Sequence, residues 1–110
     1  MSSVTTFDPI KFKTTTRAQW ENAAEAWHRW GPFLGKWLGP ATERMLALAR
    51  LQAGSRVLDL AAGAGEQTLR AARRVGPGGH VLATDISPAI LDYAARTARE
   101  ARLSQVATRE

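Results

Sequence analysis

"VLDLAAGAGEQT", residues 57–68, is the stretch on which the fold turns. Val57 to Leu60 is a short apolar run broken only by Asp59, with the length of a buried strand. Gly63 and Gly65 mark a tight turn, and from Glu66 a helical pattern begins, with Leu69, Ala72 and Val75 on one side. Working outward, Arg56 to Leu60 is predicted as a strand and Glu66 to Val75 as a helix. "GPGG" at 76–79 is a loop, and His80 to Thr84 is a second strand. Ser87-Pro88 opens another helix, with Ser as N-cap and Pro at the first helical position. That helix is expected to bury Ile90, Leu91, Ala94, Ala98 and Ala101, and Gln105 to Thr108 begins a third strand. Strand, helix, strand, helix, strand with short turns predicts an α/β fold with a doubly wound parallel sheet. Right-handed crossovers set the strands side by side as third, second, first, with both connecting helices on one face.

Upstream the chain is helical in pattern and holds all four tryptophans, in "WENAAEAWHRWGPFLGKW", residues 20–37. Residues 1–15 are expected to form an irregular arm. Thr16-Arg17-Ala18-Gln19 then fits a capping box for a helix that runs to Trp30, where Gly31-Pro32 stops it. Trp20, Ala24 and Trp27 share a face of that helix. A short helical turn spans Phe33 to Leu38, and Pro40 opens a further helix that Gly54 ends. The chain thus divides into an arm (1–15), an N-terminal helical segment (16–54) and a partial α/β domain (55–110).

Composition excludes several classes. At 110 residues, 45% apolar and 23% charged, this is an ordinary globular chain. It has no cysteine, which rules out disulfides and thiolate chemistry and fits a reducing cytoplasm. No window approaches the roughly 20 apolar residues of a membrane span, and no secretory signal opens the chain. The net charge of +5 would suit an acidic partner. Asp92, Arg96 and Glu100, however, stand at i,i+4 spacing, the pattern of a solvated helix face, which argues against a nucleic-acid patch. No metal cluster, nucleophile constellation or general base can be assembled, so no catalytic residue is assigned; His80 is read as structural, and His28 as solvent-facing, with a place facing a substrate pocket as the alternative.

In parallel sheets of this kind, ligands sit outside the carboxyl ends of the strands, where Gly63 and Gly65 let backbone approach closely. A P-loop would need Lys after its last glycine, and a dinucleotide turn would need Gly or Ala where Thr68 stands. Asp59 and Glu66 beside the turn would repel a pyrophosphate and favour a ligand that carries a cation. Asp85 ends the second strand, where a carboxylate can accept from both hydroxyls of a ribose, and Ile86 can pack on adenine.

From Arg56 to Glu110 the chain resembles class I S-adenosylmethionine-dependent methyltransferases, in the branch of the ubiquinone and menaquinone C-methyltransferases. "VLDLAAGAG", "VLATDISPAILDYA" and the spacing between them carry the resemblance. It implies a Rossmann-like sheet of seven strands, of which this chain, truncated after the third, would carry the cofactor-binding half. It also implies S-adenosylmethionine as cofactor: Asp59, Ala61, Gly63 and Gly65 around the methionine part, Asp85 on the ribose, Ile86 at the adenine and Trp27 as a lid. Ala61 stands where the family most often has its first glycine. The acceptor implied is a small molecule. The other readings of the same residues are a non-catalytic module that binds S-adenosylmethionine or a partner, and a nicotinamide-binding domain. An apolar strand left unpaired at one edge is expected to invite self-association.

Overall fold

A computed structural model describes residues 4–110 of the chain. Two helices, α1 (Pro9–Arg29) and α2 (Gly31–Leu48), precede an alternating unit of β1 (Arg56–Leu60), α3 (Glu66–Val75), β2 (His80–Thr84), α4 (Pro88–Glu100) and β3 (Val106–Arg109). The strands are parallel, with β2 in the centre: Val57 pairs with Val81 and Val81 with Val106. The predicted α/β class, strand order and α3 limits are all observed, and β3 begins one residue later than expected.

Strand alternation divides the sheet into two unlike faces. Val57, Val81 and Val106 point to the core, where they meet Leu46, Ala71, Ala72 and Val75 from the helices. The other face carries Leu58 and Leu60, which are 59% and 72% exposed. The N-terminal helices do not cover that face, because α1 packs on α4 and α2 on α3. Ala101, expected in the core, lies exposed beyond the end of α4.

The N-terminal segment departs from the sequence reading in two places. Residues 9–15 are helix rather than arm, because Asp8 is the true N-cap. Its carboxylate accepts from the N–H groups of Ile10 and Lys11, both at 3.0 Å, with Pro9 at the first helical position. Thr16 to Gln19 therefore lies inside α1 and caps nothing. The second departure is Pro40, which sits within α2 instead of opening a helix. Proline normally excludes its predecessor from the helical region by clashing with that residue's Cβ. Gly39 has no Cβ, which removes part of that clash, and the helix runs on through Pro40.

Gly35 and Gly39 also face α3. A Cβ on Gly35 would stand 2.3 Å from a Glu66 oxygen, and one on Gly39 would stand 2.7 Å from an Arg70 nitrogen. The approach is fixed by Glu43, which accepts from Arg70 at 3.1 Å and Arg74 at 2.9 Å, while Arg70 also donates to the Gly35 carbonyl at 3.2 Å. These two donors hold the Glu43 carboxyl below its ordinary range.

Candidate functional site

Between β1 and α3 the backbone turns on three residues of positive φ: Ala61 at 55°, Gly63 at 63° and Gly65 at 103°. The glycines adopt such angles freely, whereas Ala61 is strained there. The cost of alanine at this position is therefore conformational. Gly65 is also tight, since a Cβ would stand 3.0 Å from the Ala94 Cβ on α4. Gly63 differs: its Cβ position has no neighbour within 4 Å and opens on a cleft.

The turn is laced to the end of β2. The Ala62 N–H donates to the Thr84 carbonyl at 2.9 Å, and the Gly63 N–H donates to Asp85 Oδ2 at 3.0 Å. Asp85 Oδ1 accepts from the Ser87 N–H, also at 3.0 Å. Each oxygen spends one acceptor direction on backbone, so the carboxylate retains acceptor capacity for two further donors. Beneath the turn, the Thr68 hydroxyl donates to Asp59 Oδ2 at 2.7 Å. Burial pushes the Asp59 carboxyl up, the Thr68 bond opposes this, and the charge of Asp85 adds to the rise.

Of the residues singled out from sequence, Ala61, Gly63, Gly65, Asp85, Ile86 and Trp27 all line one cleft of about 1010 Å³. Asp59 does not line it; the carboxylate braces the turn from below through Thr68. Thr68, the residue at odds with a dinucleotide turn, is fully buried to make that bond. Glu66 lines the cleft, but Arg70 answers its charge at 3.2 Å, which leaves Asp85 as the principal anion beside the turn.

The opposite wall is made by α1 and α2, with Trp20, Trp27, Pro32, Leu34 and Leu38. The indoles of Trp20 and Trp27 lie 5.8 Å apart, one helical face bringing them together as expected. His28 does not face open solvent: it stacks on Tyr93 of α4 at 4.4 Å. Sequence reasoning missed Glu21, which docks this wall. Its carboxylate accepts from the Ser87 hydroxyl and from the Ala89 N–H, the latter at 2.9 Å, and these bonds hold its pKa below the ordinary glutamate value. No local signal marks Glu21, because its partners lie 66 and 68 residues away in the chain.

The comparisons with known proteins agree with this architecture. Residues 51–110 match the family described as a methyltransferase domain. The chain belongs to that family. Over 48 residues it is 44% identical to an arsenite methyltransferase of Halobacterium salinarum, a match covering 44% of this chain and 12% of that protein. Among solved structures, it superposes on an S-adenosylmethionine-dependent methyltransferase from Aquifex aeolicus with a TM-score of 0.59 and 29% identity. That match covers 63% of this chain and 37% of the other. TrmN from Thermus thermophilus gives a TM-score of 0.60 and 33% identity, over 63% of this chain and 21% of its own. Coclaurine N-methyltransferase, bound to N-methylheliamine and SAH, gives 0.60 and 27%, over 64% and 20%. The methyltransferase domain seen here thus spans 12% of the curated relative's length and 37% or less of these three structures.

Proposed function

We propose that this chain holds S-adenosylmethionine in the cleft and supplies the cofactor-binding part of a methyltransferase acting on a small-molecule acceptor. The observation that carries the reading is Asp85. Its two oxygens are tied to the Gly63 and Ser87 N–H groups, so the acid at the end of β2 and the turn after β1 form one rigid cradle. The remaining acceptor capacity suits a vicinal diol such as a ribose. Ile86 beside it offers an apolar surface for a purine, and the open Cβ side of Gly63 leaves room for the amino-acid part.

When bound, S-adenosylmethionine supplies an electrophilic methyl group on a sulfonium. The contribution of the chain is to orient that group and keep water from it. Asp85 fixes the nucleoside, the backbone of Ala61 to Gly65 follows the aliphatic part, and Trp27 covers the cleft from α1. An indole face there also attracts a cationic sulfur. No side chain in the cleft is needed as a nucleophile. The cleft is at the upper end of the roughly 300–1,000 Å³ of single-ligand sites. That volume is consistent with a small acceptor beside the cofactor. A quinone-type C-methyltransferase branch is the finer form of this reading, and "VLDLAAGAG" with "VLATDISPAILDYA" at that spacing is what supports it.

The test is calorimetric titration of the folded chain with S-adenosylhomocysteine, alongside Asp85→Ala. Saturable binding by the parent and its loss in the variant are expected. A parent chain that is folded by circular dichroism and gives no heat would refute the reading and leave a partner-binding module.

A further inference from the structure

Helix α2 is built inside out. The residues it buries against α3 are small or polar, Gly35, Gly39 and Thr42, with Leu46 the single large exception. Leu34 and Leu38 line the cleft, while its aromatic residues and Leu48 point the other way. Phe33, Trp37 and Leu48 are 61%, 67% and 68% exposed, and Trp30, at the cap, is 57% exposed. At about 100° per residue these four fall within one narrow stripe of the helix surface. The rings form a continuous row, with Trp30 to Phe33 at 6.2 Å and Phe33 to Trp37 at 6.4 Å. Nothing among the described residues packs over the row.

Charge identifies what does. Lys36 stands exposed beside the stripe and Arg44 within it, and neither is in an ion pair among the described residues. The only acid of α2, Glu43, is turned inward to Arg70 and Arg74. The outward face is therefore apolar, aromatic and exclusively cationic. Aromatic side chains flanked by Lys and Arg suit the boundary between acyl chains and anionic headgroups. No helix among the described residues is long and apolar enough to cross a membrane, so contact would be along the helix. We infer that the outward face of α2 seats this chain on an anionic lipid surface.

Co-sedimentation tests this, with vesicles of equal parts phosphatidylcholine and phosphatidylserine compared with phosphatidylcholine alone. The chain is expected to bind the anionic vesicles at least tenfold more tightly, with the advantage falling as salt is raised. Lys36→Gln with Arg44→Gln should weaken binding by about fivefold per charge removed. Phe33→Ser with Trp37→Ser should abolish binding while the circular dichroism spectrum is kept, since both residues are exposed. Leu58→Gln with Leu60→Gln, on the open sheet face, should leave it unchanged, which separates α2 from general stickiness. Equal binding to neutral vesicles, loss of binding only in the sheet variant, or no binding by the folded parent would each overturn the assignment. So would a dimer that the α2 variants disrupt in a chain that ignores vesicles.

Discussion

Alanine at Gly63 and at Gly65 should have opposite signatures, although the two glycines are two residues apart. Both have positive φ, 63° and 103°, where an L-residue pays roughly 1–2 kcal/mol. Replacing glycine also removes freedom from the unfolded chain, which returns about 0.4–1 kcal/mol. At Gly63 nothing else changes in the protein, since its Cβ would project into open cleft. The net loss of stability there is about 0.5–1 kcal/mol. At Gly65 the Cβ would press on Ala94, 3.0 Å from its Cβ and 3.1 Å from its Cα, and backbone cannot swing aside as a flexible side chain would. Overpacking adds about 1–3 kcal/mol, for a total of about 2–4 kcal/mol. Urea unfolding followed by tryptophan emission gives both values. Calorimetry with S-adenosylhomocysteine supplies the other half of the contrast: Gly63→Ala should stay folded and lose the ligand, because its methyl occupies the space assigned to it. Equal destabilisation by the two variants, or normal ligand affinity in Gly63→Ala, would show that the turn does not work this way.

Ala61→Gly should stabilise the chain by about 0.5–1 kcal/mol, because relief of the left-handed strain at φ 55° exceeds the added unfolded-state freedom; a lowered urea midpoint would contradict this. Trp27→Ala should weaken S-adenosylmethionine binding by about two- to thirtyfold, the span of a lost cation–π and lid contact, and unchanged affinity would remove Trp27 from the site. Glu21 should make the docking of α1 sensitive to acid. Its bonds to Ser87 and Ala89 hold the folded pKa below the ordinary value, so the stabilisation is fully present above that value and is lost as pH falls through the lowered one. Protection of the Ala89 amide against exchange, relative to its intrinsic rate at each pH, should fall across that acid window, and Glu21→Ala should show low protection at every pH.

The alternating half of the molecule was legible in the sequence because its signals are local. The apolar run of β1, the Gly63 and Gly65 turn, and Ser87 with Pro88 each act within a few residues of where they stand. Their register brought Ala61, Gly63, Gly65, Asp85 and Ile86 to one cleft. Asp59 was the exception: its place under the turn depends on Thr68, whose hydroxyl reaches it only once α3 has packed on the sheet.

The N-terminal half was less legible, because local signals there compete. Thr16 to Gln19 satisfies a capping pattern, yet the chain is already helical from Asp8, and a cap matters only where backbone N–H groups are free. Pro40 reads as a helix start, yet Gly39 removes part of the clash that would have made it one. Which wall closes the cleft was decided by Glu21 and Glu43, through partners on α4 and α3 far along the chain. The sequence by itself thus determined the strands, the turn and the acid that faces it, all set by short-range sterics and hydrophobic period. Only the tertiary structure decided that two helices of ordinary pattern would be held by Glu21 and Glu43 over that turn, leaving Trp30, Phe33 and Trp37 outside.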